Sequence, residues 1–356
     1  MFMGYVAGVF DTYSMQGNRN ICPEAGMSIG TAADAVMRYL NEHPEQLHYS
    51  APSVIMLALS AAYPCINLRG AVTLASSASP ERVGERRAGG YMTTFHSANI
   101  ALDYQDIGSG PLTLVLLPGW CEPKTVFDPF IALAAERYRV LSIDWRGHGL
   151  SSKTAEMSLA AVDLLEDVRQ LLTALRLDNV VTLSVAHASW LAVALAEALP
   201  QRVRGMVFLD WIMTQPEPAF FTAVSRMQQP QQWLAARDAL FAFWQGGIRH
   251  ERVKRHLEVE MAQEDYRLWR AAGVAIEQAY RQFGSPLQRL AGMSAPPPCR
   301  HIYSLDRRDD YLRRQQAFAA EQPFFSVVRL GEARTHLGIL ERPDAVLWAV
   351  EDFLAP

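Results

Sequence analysis

VVTLSVAHASW, residues 180–190, runs from a short apolar strand-forming stretch into a tight turn and then into the helix-forming WLAVALAEAL. A strand that feeds a helix through so sharp a turn lifts one residue to its tip, where enzymes of this shape carry a nucleophile. Here the tip is Ala186, flanked by Ser184 and Ser189, neither of which occupies the tip position. No acyl- or alkyl-enzyme can form on alanine, and losing such a nucleophile costs on the order of a million-fold in hydrolytic rate. The backbone of the turn survives the loss. The N–H of His187, with that of Trp120 in an earlier loop, can still bind a developing oxyanion.

Outward from the turn, strand-like runs alternate with amphipathic helices from Met92 onward. LTLVLLPGW, YRVLSIDW, VVTLSV, GMVFLDW, CRHIYSL and FSVVRL are short apolar runs that end in turn residues. Between them SLAAVDLLEDVRQLLTALRL places Leu159, Val162, Leu165 and Val168 at helical spacing. Such alternation defines a largely parallel sheet with helices on both faces, its strands buried on both sides. The order of motifs narrows the class: LPGW after an early strand, DWRGHGLS after the next, SVAHASW as the elbow, and a final histidine in EARTHLG. Together these predict an α/β-hydrolase fold. The helix-rich, aromatic stretch of about 212–292 reads as a cap over the site.

The chain has 356 residues, 50% hydrophobic and 20% charged, with a formal charge of -4. This composition suits a globular protein with a sizeable core and gives no electrostatic case for nucleic acid or an anionic membrane. No apolar run reaches membrane-spanning length. The start, MFMGYVAGVF, has no basic n-region or small-residue cleavage site, so no signal peptide is expected and the expected location is cytoplasmic. Cys22, Cys65, Cys121 and Cys299 are scattered without a CxxC pair, which argues against a zinc knuckle or redox motif; no metal site is expected.

Residues 67–91 are rich in Ser, Ala, Gly and Arg and read as a linker between a small helical segment, 1–66, and the larger unit, 92–356. In the first, Ala33, Val36, Met37 and Leu40 share one helical face, with Thr31 as N-cap and Pro44 as stop, and Ser50 caps a second helix. GYVAGVFDTY, ICPEAG and YLNEHPEQLHYSAPSVIMLALSAAYPC resemble the Rap/Tai immunity proteins, small periplasmic helical proteins that neutralise type VI secretion amidase toxins. That family is exported and held by disulfides. Here Cys22 and Cys65 are present but the family's N-terminal cysteines are not, so toxin binding is not expected of this copy.

Among nine histidines, His336 follows the last strand, where this fold places its general base, and imidazole titrates near working pH. His148 in RGHG reads as structural. A catalytic imidazole needs a carboxylate to hold its tautomer. Asp210, at the end of GMVFLD, and Asp306, at the end of RHIYSLD, are both candidates. Asp210 is favoured because an unpaired carboxylate in that apolar setting beside Trp211 would be costly, whereas Asp306 belongs to the solvated run DRRDD. A His–Asp base, an oxyanion site and a covered aromatic pocket suit a reaction that opens with proton removal.

LLPGWCEPKTVFDPFI, DWRGHGLSSK, LDWIMTQPEPAF, LFAFWQGG, RVKRHLEVEMAQEDYRLWRAAGVAIEQAYRQFGSP and RHIYS are similar to the cofactor-free 2,4-dioxygenases that cleave 3-hydroxy-4-oxoquinolines. The resemblance covers nearly all of 92–356, cap included. It implies that His336 and Asp210 deprotonate the 3-hydroxyl and that the anion reacts directly with dioxygen, without metal or flavin. Carbon monoxide and an N-acyl-anthranilate result. It assigns oxyanion amides to Trp120 and His187, and a substrate contact to Trp244. Ala186 stands where the family has Ser, Val185 where it has His, and Glu122 where it has His. The family serine positions substrate, so its loss leaves dioxygenation open. Glu122 reads as a solvated loop residue, with acceptance of a ring N–H as the alternative. The expected partners are a small aromatic substrate and dioxygen. The competing readings are a lyase or a hydrolase that uses His336 to activate water, and a non-catalytic ligand- or toxin-binding fusion.

Overall fold

The computed structural model describes residues 28–42, 55, 58, 59, 62, 63, 92–97, 100–154, 158–305 and 310–355. The chain divides into two compact units, Met1–Glu81 and Arg82–Pro356. The expected linker, most of the expected second helix with its cap Ser50, Cys22, Cys65 and Asp306 lie outside the described residues.

In the smaller unit, helix α1 (Ile29–Glu42) buries Ala32, Ala33 and Val36, and Ala32 and Val36 cluster with Ile55, Ala58 and Leu59. Two expectations are corrected. Met37 is 47% exposed, because the buried stripe runs through positions 32, 33 and 36 and leaves 37 on the solvent side. The cap is Ser28 rather than Thr31: Ser28 Oγ accepts the Thr31 N–H at 3.1 Å, satisfying one of the four amides a helix start leaves open.

The larger unit is built on one eight-stranded sheet: β1 (Met92–Ser97), β2 (Ile100–Ile107), β3 (Thr113–Leu117), β4 (Arg139–Ile143), β5 (Val180–Val185), β6 (Val203–Leu209), β7 (Cys299–Tyr303) and β8 (Phe325–Arg329). Their spatial order is β1-β2-β4-β3-β5-β6-β7-β8. β3 to β8 pair in parallel, whereas β1 and β2 form an antiparallel hairpin on the edge that the reading of apolar runs missed. The hairpin is half-buried, with polar residues alternating through MTTFHS, so its apolar signal is weak. β3 and β5 are buried along their whole length, as two-sided coverage requires.

Helices α2 (Asp128–Ala134), α3 (Ala161–Ala174) and α4 (Ser189–Ala198) connect the central strands. In α3 the buried face is Leu164, Val168, Leu171 and Leu172; Val162 is 69% exposed, and Leu159 is buried just before the helix begins. The predicted face was one position out of phase at its start. The cap consists of α5 (Pro218–Met227), α6 (Trp233–Trp244), α7 (Glu251–Arg255), α8 (Tyr266–Phe283) and α9 (Pro286–Ala291). Asp265 caps α8 through the Leu268 N–H, and Ser285 and Gln288 form a reciprocal capping box on α9. Two tyrosines pin the base of the cap: Tyr280 donates to the Ile212 carbonyl at 3.1 Å and Tyr311 to the Trp211 carbonyl at 2.8 Å. Helices α10 (Asp310–Glu321), α11 (Gly338–Glu341) and α12 (Pro343–Leu354) complete the unit. Among the described residues no helix is long and apolar enough to cross a membrane.

The order β4-β3-β5 reverses the direction of strand progression at β3. Loops leaving β3 and β5 therefore diverge and open a crevice at the carboxyl ends of the strands, where ligands bind in open α/β sheets. Register fixes what faces what. Leu117 pairs with Ser184, so Pro118–Trp120 runs beside Val185–His187.

Candidate active site

The crevice holds a cavity of about 750 Å³. Trp120, Glu122, Ala186, His187, Trp244 and His336 all line it, so six residues singled out from the sequence share one wall. Phe220, Val224, Met227, Leu240 and Ile276 from the cap supply an apolar side. Four non-glycine residues among those described have positive φ, and three of them belong to this end of the sheet: Cys121 at 61°, Ala186 at 47° and Asp210 at 50°. Such conformations cost of order 1 kcal/mol or more and persist where surrounding structure over-determines them. Ala186 thus keeps the strained elbow backbone without the hydroxyl. Ser184 and Ser189 are fully buried and bonded to each other at 2.9 Å, which removes either as a shifted nucleophile.

The Gly119–Cys121 loop is held from behind by the DWRGHG segment. Trp145 Nε1 donates to the Pro118 carbonyl at 2.8 Å. Burial lowers the pKa of His148 and keeps it neutral; its Nδ1–H faces the Arg146 carbonyl at 2.9 Å and its Nε2 accepts the Cys121 N–H at 3.0 Å. His148 is structural. Beneath the loop Lys124, 2% exposed, bonds Asp144 at 2.8 Å and also Asp103. Burial alone would lower the Lys124 pKa, but the two carboxylates outweigh it and raise it.

Asp210 continues β6 into the site, its N–H bonded to the Ile302 carbonyl at 2.9 Å. Its carboxylate accepts the Ser304 N–H at 2.8 Å, and the Ser304 hydroxyl oxygen lies 3.0 Å from it. That hydroxyl also lies 2.5 Å from the carbonyl of Thr335, the neighbour of His336 in the chain. One serine therefore ties the Asp210 carboxylate to the His336 loop. Glu341 shapes the same loop by accepting from Arg334 N–H, Thr335 N–H and Thr335 Oγ at 2.8–2.9 Å. His336 is 5% exposed; its N–H donates to the Trp244 carbonyl at 2.8 Å and its ring stacks on Trp244, centroids 4.9 Å apart at 20°. Gly246, at φ 62°, follows Trp244 so closely against the loop that a Cβ there would sit 2.2 Å from the Arg334 carbonyl oxygen. Ser304, Glu341 and Gly246 went unassigned in the sequence, since only the folded register brings them to His336.

The reading of Glu122 as a solvated loop residue is corrected: it is 2% exposed. Its Oε2 accepts the Gly119 N–H at 2.7 Å, and its Oε1 lies 3.1 Å from Nε2 of His256, which is equally buried. Nδ1 of His256 lies 2.8 Å from Glu260 Oε2, and Thr125 Oγ1 donates to the same oxygen at 2.7 Å. His256 opens a π-helical turn, His256–Glu260, a geometry often found at functional sites. Desolvation would lower the His256 pKa, but hydrogen bonds and charge from Glu122 and Glu260 outweigh it and raise it to about 9. A folded pKa above the ordinary value of about 6.5 stabilises the fold below that value, and the contribution is lost as pH rises toward about 9. Thermal stability of the wild type should therefore fall between pH 7 and about 9.5 more steeply than that of His256→Gln. Asp128, raised to about 6 mainly by burial, titrates below this window. Equal slopes would disprove the assignment.

Comparison with known proteins agrees with this geometry. The alpha/beta hydrolase family matches residues 114–349, and the fold and elbow place the chain in that class. Rap1a immunity proteins match residues 1–65. A 2-heptyl-3-hydroxy-4(1H)-quinolone dioxygenase from Mycobacteroides abscessus is 32% identical over 74% of this chain and 97% of its own length. The 1H-3-hydroxy-4-oxoquinoline 2,4-dioxygenase of Pseudomonas putida is 32% identical over 68% and 91%. Among solved structures, an AqdC variant in complex with its substrate, the Pseudomonas quinolone signal, aligns with TM-score 0.71 at 30% identity, covering 74% of this chain and 99% of its own. At this identity and coverage the chain is a member of the 3-hydroxy-4-quinolone 2,4-dioxygenase family.

Proposed function

We propose that this protein cleaves the nitrogen-containing ring of a 3-hydroxy-4-quinolone with dioxygen, using a His336–Asp210 base and no cofactor. The observation that carries the reading is the His336 loop, tied to Asp210 through Ser304 and to Trp244 of the cap, at a cavity whose elbow lacks a nucleophile. Family membership supports it, because the relatives act on 3-hydroxy-4-quinolones.

His336 removes the 3-hydroxyl proton. Asp210 stabilises the resulting imidazolium, and the Trp244 face adds a cation–π contact. The substrate anion supplies electrons to dioxygen, and a peroxide forms at C2 and closes on C4. The O–O bond and the bonds from C3 to C2 and C4 then break together, so that C3 leaves with its oxygen as carbon monoxide and one substrate and one dioxygen give one N-acyl-anthranilate and one carbon monoxide. The backbone amides of Trp120 and His187 are the assigned donors to the oxygen on C4. Ala186 and Val185 contribute room rather than hydrogen bonds.

The test is anaerobic binding of 2-alkyl-3-hydroxy-4-quinolones to the full chain, followed by admission of oxygen. The expected result is the anion spectrum on binding, then one carbon monoxide released per oxygen consumed. A panel of such compounds that neither binds nor consumes oxygen would sink the reading.

A further inference from the structure

A 3-hydroxy-4-quinolone brings three polar groups into an otherwise apolar cavity. With the 3-hydroxyl assigned to His336 and the C4 oxygen to backbone amides, the ring N–H is left over. A buried donor without an acceptor is costly, so the wall must supply one. Glu122, Glu217 and Asp310 are the carboxylates among the lining residues described. Glu217 is exposed and Asp310 half-buried, whereas Glu122 is buried.

Hydrogen-bond accounting leaves Glu122 capacity to spare. A carboxylate offers about four lone-pair sites. The Gly119 N–H uses one site on Oε2 and His256 one on Oε1. Both ring nitrogens of His256 face carboxylate oxygens, Glu122 on one side and Glu260 on the other, an arrangement that calls for N–H at both positions. The cap thus reaches across to the core loop with a cation and fixes the Glu122 carboxylate at the cavity wall.

We propose that Glu122 determines specificity: its carboxylate, positioned by His256, accepts the substrate's ring N–H, so the enzyme selects N–H heterocycles over their ring-oxygen counterparts. The inference rests on the dioxygenase reading and adds the group that reads the heteroatom. Glu122 contacts substrate, and His256 is a positioning residue acting through it.

The experiment compares a 2-heptyl-3-hydroxy-4(1H)-quinolone with the 3-hydroxychromone bearing the same chain, using anaerobic dissociation constants for the wild type, Glu122→Gln, Glu122→Leu and His256→Phe. The wild type should prefer the quinolone by about 10- to 100-fold, and Glu122→Leu should bring the two within about threefold. Glu122→Gln, which keeps the shape and one acceptor oxygen, should retain part of the preference, and His256→Phe should reduce it. A merely structural role would weaken both compounds together and leave their ratio alone. A ratio unchanged in the variants, or near unity in the wild type, overturns the proposal. If the leucine variant fails to fold, the ratio in Glu122→Gln decides it. Carbon monoxide release from both compounds with equal affinity removes this inference and leaves the dioxygenase reading standing. Binding of neither removes both.

Discussion

His336→Ala should lower oxygen-dependent turnover by about 10²- to 10⁴-fold, the usual worth of a positioned general base. The reason lies in the single early step assigned to it: without proton removal the substrate stays neutral and does not give electrons to dioxygen. The variant should still bind the quinolone, because the cavity's apolar side and Glu122 are untouched, but the bound compound should lack the anion spectrum. Its residual rate should climb with pH as solvent hydroxide replaces the missing base. Stopped-flow absorbance with an oxygen electrode reads all three quantities. An anion spectrum that persists in the variant would move the base elsewhere.

Lys124→Met should cost about 3–5 kcal/mol of stability, because it leaves two buried carboxylates without their cation. Asp103 and Asp144 are 7% and 1% exposed, and both bond to Lys124 Nζ. Asp144 would retain the Lys124 and Leu150 amides, which soften the loss without supplying charge. For a unit of this size the melting temperature should fall by on the order of 10 °C. The deficit should narrow in acid, where Asp103, whose pKa burial already raises, takes up a proton. A melting temperature within a degree or two of wild type would show that the carboxylates find other partners. The same substitution should also disturb oxyanion geometry, since Lys124 lies only three residues beyond the Gly119–Cys121 loop.

The sequence carried the elbow, the six parallel strands β3 to β8 and the histidine after β8 because each is a local pattern, an apolar run ending in a characteristic turn. Even the departure at Ala186 was readable, and the positive φ there shows that the turn is kept by its surroundings rather than by a reactive side chain. The β1–β2 hairpin was not legible, since a half-buried edge carries polar residues on alternate positions and no continuous apolar signal. Glu122 and His256 lie 134 positions apart, and no spacing rule links them. Judged alone, a glutamate between Cys121 and Pro123 looks like an exposed loop residue. Only the cap folding down makes it a buried acceptor. The choice of Asp210 over Asp306 followed from the cost of an unpaired carboxylate, and the structure shows how Asp210 is bonded, by Ser304 from the neighbouring strand end.

The main-chain bond from His336 to Trp244 makes the base part of the cap's latch. Breaking that one bond would release the His336 loop from the end of α6 and loosen the imidazole with it. On the proposed mechanism the easily oxidised substrate anion would form only while that bond holds the imidazole in place.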